Sequence, residues 1–222
     1  RLVETTFIAL SSWIISYIFG IFFGLISSNL FYEIFNWPII FSKIIKLILI
    51  LLRSIHESIW GIILLQIYGI NISVGIIAIC IPYIAINSKI ISEQLENIDQ
   101  NIIKSTLAIN GPKLSSLITL IWNPILYNFK TFGIYRLECA VRSTTIIGLF
   151  GLGGIGTSIY LAFQALSFRE LSTYIWGLAL FLIILKIAFK FLIAKKIDPK
   201  ISLTLFISLL ILSFYSIYYF FN

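Results

Sequence analysis

Apolar residues run almost without pause through this chain, and a single long polar interval, Ser88 to Pro124, interrupts them. That pattern constrains the fold more than any motif. A chain that is 59% hydrophobic and 11% charged over 222 residues has far more apolar surface than a soluble domain of that size can bury. Lipid must take the excess. Inside lipid the backbone has to satisfy its own N–H and C=O groups, and each crossing helix needs about 20 largely apolar residues. Candidate spans run near Phe7 to Ser28, Ile44 to Ile67, Ile70 to Ile91, Ile125 to Ile147, Leu171 to Phe191 and Ile201 to Phe221. The expected architecture is an all-α polytopic bundle of about five core spans plus a sixth C-terminal one.

The first apolar stretch is followed by Asn29-Leu30-Phe31-Tyr32-Glu33 without a small-residue cleavage site, so it reads as a span rather than a secretory signal. The chain begins at Arg1 with no initiator methionine, and a truncated N-terminus is expected. Lysine placement orients the bundle. Lys43 and Lys46 precede the second span, Lys89, Lys104 and Lys113 lie in or beside the polar interval, and Lys195, Lys196 and Lys200 follow the fifth. With six spans these regions share one side, which the positive-inside rule makes cytoplasmic. The net charge of +7 is mostly this asymmetry. No soluble basic face is left to receive a nucleic acid.

Within the polar interval, Asn110-Gly111-Pro112 forms a break, since glycine tolerates a left-handed φ after one helix and proline suits the first turn of the next. Ile98, Ile102, Leu107 and Ile109 alternate with Glu96, Asp99, Lys104, Ser105 and Thr106. Two short helices meeting at Gly111 are predicted, on a water-facing surface built to dock a partner.

Charges inside spans are expensive and mark either internal ion pairs or a conduction path. Arg53 and Glu57, in LLRSIHESIW, are four residues apart, so an unbroken helix puts them on one face. Arg136, Glu138 and Arg142 follow in the fourth span; Glu138 and Arg142 at i, i+4 can pair, leaving Arg136 to meet Glu57. The set carries one more arginine than glutamate, which fits an anionic cargo, although two satisfied pairs would fit a structural network equally well. Arg142, nearest the external mouth, is the favoured anion contact. His56 is the only histidine, so an imidazole cluster within the chain is excluded. Cys80 and Cys139 fall inside spans with no ligand-like neighbours and read as small packing residues. No cofactor or metal site is expected.

Glycines are the remaining signal. Gly20 and Gly24, in GIFFG, suit either close helix approach or lipid-facing filler. Pro82 sits mid-span, where a kink is plausible. Gly151-Leu152-Gly153-Gly154-Ile155-Gly156 matches GxGxxG, but no βαβ unit surrounds it and no acidic residue follows at the usual distance, so a dinucleotide site is rejected. Gly148, Gly151, Gly153, Gly154 and Gly156 instead suggest irregular backbone packed among helices, where a gate would sit.

Four stretches carry a family resemblance: LLRSIHESIW, SEQLENIDQ, the Gly111 loop and YRLECAVRSTTIIGLFGLGGIG. The chain resembles the transmembrane subunit of binding-protein-dependent ABC importers, and is most similar to the phosphonate or phosphite permease branch. The superfamily's cytoplasmic signature is EAA, three residues, Gly, nine residues, Ile, one residue, Leu-Pro. Gly111, Ile121 and Pro124 hold their places, whereas Ser105, Thr106 and Leu107 stand where EAA would be and Asn123 replaces the Leu. Branch members read Arg-Ala-Ile-Pro-Glu in the second span; here Arg53 and Glu57 remain and His56 takes the proline's place.

The resemblance implies a permease domain over residues 1–196 with its cytoplasmic coupling region at about 93–124, in which Leu107, Ala108, Gly111 and Leu114 meet an ATPase subunit. Residues 197–222 read as an additional segment, either an extra helix or the start of a truncated or fused region. Also implied are ATP and Mg on the separate ATPase subunit, a periplasmic substrate-binding protein, a second permease unit, a phosphonate-type cargo and a bacterial inner-membrane location. The chain has no phosphate loop of the form GxxxxGK followed by Ser or Thr, so enzyme activity is expected from partners. A secondary transporter or a membrane scaffold would lack the ATPase partner, and co-purification with one separates the readings.

Overall fold

A computed structural model describes residues 1–110, 115, 118–122, 125 and 132–194. The described residues are helical with irregular connections and no strand. In chain order the helices are α1 (Leu2–Ser27), α2 (Asn29–Phe35), α3 (Ile40–Ser54), α4 (Glu57–Tyr68), α5 (Ile72–Glu96), α6 (Gln100–Asn110), α7 (Ile134–Gly148), α8 (Ile155–Gln164) and α9 (Phe168–Ala194). Helices α1 and α5 are each long and apolar enough to cross a membrane, and α3 with α4 makes a third if that broken pair is one span. The stretch expected to span from Leu171 to Phe191 lies within α9. Of the span expected from Ile125 to Ile147, the described part centres on α7. The apolar stretch Ile201 to Phe221 lies outside the described residues.

The main departure from the expected pattern is in the second span. Instead of one helix over 44–67, the chain stops at Ser54, passes through Ile55 in extended conformation, and restarts at Glu57. His56 caps the restart, its imidazole Nδ1 accepting from the Ser58 N–H at 3.3 Å. Arg53 occupies the last turn of α3 and Glu57 the first turn of α4. A cation at a helix C-terminus and a carboxylate at an N-terminus each complement the local backbone dipole. The pair therefore marks a stop and a start, not two successive turns of one face.

The chain divides into two compact units. One comprises Arg1–Ile15, His56–Cys80 and the chain from Ile134; the other comprises Ser16–Ile55 and Ile81–Gly133. In the second unit the end of α1 runs hard against α5. A Cβ placed on Gly20 would lie 2.6 Å from the Asn87 Cβ, and one on Gly24 would lie 2.9 Å from the Ile91 Cβ. GIFFG is thus a helix contact and not filler, since small residues let backbones approach where apolar side chains gain nothing from leaving lipid. Ser28 caps α2 by accepting from the Phe31 N–H, and Asn36 ends it in the left-handed region at φ 56°.

A core of Leu30, Ile34, Ile91, Leu95, Leu120 and Ile121 ties α2 to the end of α5 and to the described turn at 118–122. Ile98 and Ile103 pack onto that core, while Ile102, Lys104 and Ser105 stay exposed. Among the described residues, the polar interval is therefore anchored through Ile98 and Ile103 and presents Ile102 outward.

The first unit holds α4, the start of α5 and α7 to α9. Helix α7 packs on α4 and α8, and α9 packs on α8 and α7. Buried Ser11 in α1 returns its hydroxyl proton to the Phe7 carbonyl at 2.8 Å, so the polar side chain is satisfied within its own helix. Cys80 is buried with its Sγ 3.4 Å from the Ser12 carbonyl oxygen, as a packing residue. Helix α5 runs through Pro82 without ending.

Candidate functional site

Of the span charges singled out in the sequence, those of the first unit, Glu57, Arg136, Glu138 and Arg142, lie on α4 and α7. Glu57 opens α4, and the Ser143 hydroxyl of α7 donates to its Oε1 at 2.6 Å. His56 Nε2 lies 3.5 Å from the same oxygen. Because Nδ1 of that ring accepts the capping N–H, the neutral tautomer carries its proton on Nε2, facing Glu57. One turn along, a Cβ on Gly61 would meet Ile147 of α7 at 3.6 Å, so the two helices touch directly below the hydrogen bond. Ile147 also lies against Gly75 of α5. A carboxylate that sequence spacing assigned to an arginine is instead held by a serine.

Glu138 and Arg142 form the i, i+4 ion pair on α7 that their spacing predicts. Glu138 is the more enclosed partner at 17% side-chain exposure, whereas Arg142 is 58% exposed. The guanidinium thus reaches outward from a carboxylate fixed in the helix, a cation able to receive an anion without abandoning its partner. Arg136, two residues before Glu138 and half-buried, has its Nε shielded within the fold. Around Glu57, which Arg136 is expected to meet, the structure places the Ser143 hydroxyl and the His56 ring. Arg53 lies in the other unit.

Between α7 and α8 the glycine run makes an irregular loop. Gly151, Gly153 and Gly154 have φ of 86°, 103° and 80°, in the region where a side chain is strained. At its base the flanking helices meet backbone to backbone: a Cβ on Gly148 would lie 2.6 Å from the Gly153 carbonyl oxygen, and one on Gly156 would lie 2.1 Å from the Thr145 carbonyl oxygen. Thr5 of α1 pins the far end. Its hydroxyl accepts from the Ile155 N–H at 2.8 Å and donates to the Arg1 carbonyl at 3.0 Å. Leu152 points inward at 2% exposure, while Leu149 and Phe150 border an open apolar groove of about 860 Å³. Thr5 was not legible as a partner of this loop, because 150 residues separate it from Ile155.

In the polar interval, Leu107 and Ala108 fall in α6, with Ala108 exposed. Gly111 and Leu114 lie outside the described residues.

No family model matches the chain. Among curated proteins it is similar to the phosphite transport system permease protein PtxC of Stutzerimonas stutzeri, 25% identical over 135 residues covering 61% of this chain and 49% of that one. The putative phosphite transport system permease protein HtxE of the same organism is 28% identical over 61% of this chain and 52% of its own length. The putative cryptic phosphonate transport system permease protein PhnE2 of Escherichia coli K12 is 28% identical over 42% of this chain and 77% of its own. The chain spans about half the length of the first two relatives. Among solved structures, a chain of the MetNI methionine ABC transporter in an inward-facing form superposes with a TM-score of 0.66 at 16% identity, over 87% of this chain and 94% of that one. In sequence, then, this chain is a relative of permease proteins of phosphite and phosphonate transport systems, and it has the fold of an ABC-transporter chain.

Proposed function

We propose that this chain is the transmembrane permease subunit of an ATP-driven importer that moves phosphonate, phosphite or a similar small oxyanion across the bacterial inner membrane. The observation that carries the reading is the similarity to phosphite and phosphonate transport permeases, on a fold shared with an ABC transporter. Residues 1–196 form the permease domain, with about five core spans. A second permease unit completes the pathway, and a periplasmic binding protein delivers the cargo. A separate subunit binds ATP with Mg and works through the region around Leu107, Ala108, Gly111 and Leu114.

Within this scheme Glu138 holds Arg142 at the mouth of the pathway, and the glycine loop from Gly148 to Gly156 gates it. Glu57 and Arg136 supply the rest of the charge there. The guanidinium of Arg142, more exposed than its Glu138 partner, favours anions by an attraction that water screens only in part. Uptake by alternating access then needs ATP closure of the partner subunits to reach the helices through the coupling region.

Reconstitution with the cognate ATPase and binding protein tests the proposal. ATP-dependent uptake of phosphite or a phosphonate into proteoliposomes is the expected result. In the same system Gly111→Val should uncouple ATP hydrolysis from uptake while the protein still inserts. A chain that fails to co-purify with any ATPase subunit would remove the reading.

A further inference from the structure

The second unit contains a cavity of about 190 Å³ between α1, α3 and α5, and its chemistry is unlike that of the apolar surface around it. Three cations and two carboxylates line it. Lys46 is paired with Glu96 at 2.6 Å and Lys89 with Glu93 at 3.3 Å. Arg53, half-buried at the end of α3, is the lining cation with no ion pair among the described residues. The break after Ser54 is the reason, since it removes Glu57 from the next turn of the same helix.

A second observation comes from α5. Ser92 also lines the cavity, is 3% exposed, and its Oγ has no hydrogen-bond partner among the described residues. A buried hydroxyl left unsatisfied is destabilising, and such a group in a native fold calls for a missing acceptor or donor. An unpaired guanidinium and an unpaired hydroxyl on facing helices ask for the same thing, an oxyanion with several acceptor atoms. Carboxylates close by limit the charge it carries, because the lining holds one positive charge in excess.

The wall beside Arg53 is apolar. Ile50 lines the cavity yet is 50% exposed, and Leu47 and Leu51 on the same helix are 61% and 59% exposed. The opening therefore lies beside an exposed apolar surface of α3. Basic pockets between membrane helices are suited to phospholipid head groups.

We infer that this cavity binds a singly charged phosphate-type oxyanion, held by Arg53 and Ser92 and flanked by the Lys46–Glu96 and Lys89–Glu93 pairs. Its source is either the phosphodiester of an anionic phospholipid or a free inorganic oxyanion. The inference concerns a site apart from Arg142 and does not rest on the transport reading. Lys46 and Lys89 keep their carboxylates, so the ligand completes the charge balance without breaking an existing pair.

The test uses the full chain in phosphatidylcholine nanodiscs, with thermal unfolding as the readout. In one arm phosphatidylglycerol is titrated into the lipid; in the other, phosphite or phosphate is added to the solution. A ligand of the folded state raises the melting temperature in a concentration-dependent way. A rise in the first arm alone assigns the site to lipid, and a rise in the second assigns it to the free anion. Arg53→Gln should weaken the responding arm by roughly tenfold or more, as expected for loss of a charged hydrogen bond. Ser92→Ala should leave unliganded stability unchanged or raise it, because no hydrogen bond is lost, and should lower ligand affinity by about threefold or more. Should Arg53→Gln fail to fold, the Ser92→Ala response alone decides. Lys43→Gln, on an exposed position of α3 outside the cavity, controls for diffuse attraction. No shift in either arm, wild-type binding by Ser92→Ala, or an equal loss in Lys43→Gln would overturn the site.

Discussion

Ser143 donates its hydroxyl proton to Oε1 of Glu57 at 2.6 Å, joining helices that are 86 residues apart in sequence. The bond holds a carboxylate in the first turn of α4, where the backbone dipole favours it, and the neighbouring Gly61–Ile147 contact keeps α7 close. Ser143→Ala and Glu57→Ala should each destabilise the protein. Their double-mutant cycle should show a coupling of about 0.6 kcal/mol, the average for polar pairs between membrane helices. Additive effects on thermal unfolding in detergent would mean that the bond contributes nothing of its own.

The glycine loop yields a graded prediction. Alanine at Gly148 or Gly156 pushes a methyl group into backbone that cannot yield, and destabilisation of about 1–3 kcal/mol or more is expected. Gly61→Ala meets its neighbours only at ordinary contact distance, so its folding yield and melting temperature should stay close to the parent's. Equal tolerance at all three positions would show that α7 and α8 separate more easily than their geometry implies.

Thr5 offers a test of the link between the first turn of α1 and the start of α8. Thr5→Val keeps the shape but removes the acceptor of the Ile155 N–H, a loss of about 1 kcal/mol by analogy with helix N-caps. Thr5→Ser should recover most of it. Amide exchange at Ile155 is the direct measurement: faster in the valine variant, near normal in the serine one.

On the transport reading proposed above, Arg142→Gln should reduce phosphite or phosphonate uptake several-fold in reconstituted vesicles. Assembly with the ATPase should persist, because the exposed guanidinium contributes little to packing. Unchanged uptake would exclude Arg142 from the pathway. Loss of assembly would instead make its pair with Glu138 structural.

Much of the architecture was legible before any coordinates. Continuous apolar stretches of about 20 residues, without the alternation of a barrel strand, leave the backbone no partner but itself and so dictate helices. The i, i+4 spacing of Glu138 and Arg142 specified a contact because both lie on one uninterrupted helix. The glycine run announced irregular backbone, since three of its members occupy φ that side chains avoid. Arg53 and Glu57 went the other way. Spacing implies a shared face only while the helix continues, and the break at Ile55 and His56 carries no proline to announce it. A basic last turn followed by an acidic first turn was the available cue.

For partners distant in sequence no local signal told which residue would be met, even where GIFFG suggested a close helix approach. Thr5 with Ile155, Glu57 with Ser143, and Gly20 with Asn87 meet because of how helices pack, and that depends on side-chain shape along whole faces. Local sequence determined that this chain forms apolar helices, the i, i+4 pair of Glu138 and Arg142, and a glycine-built loop. Tertiary packing decided which carboxylate each polar group meets and left Arg53 facing a cavity, because buried charges choose partners by distance in space and not along the chain.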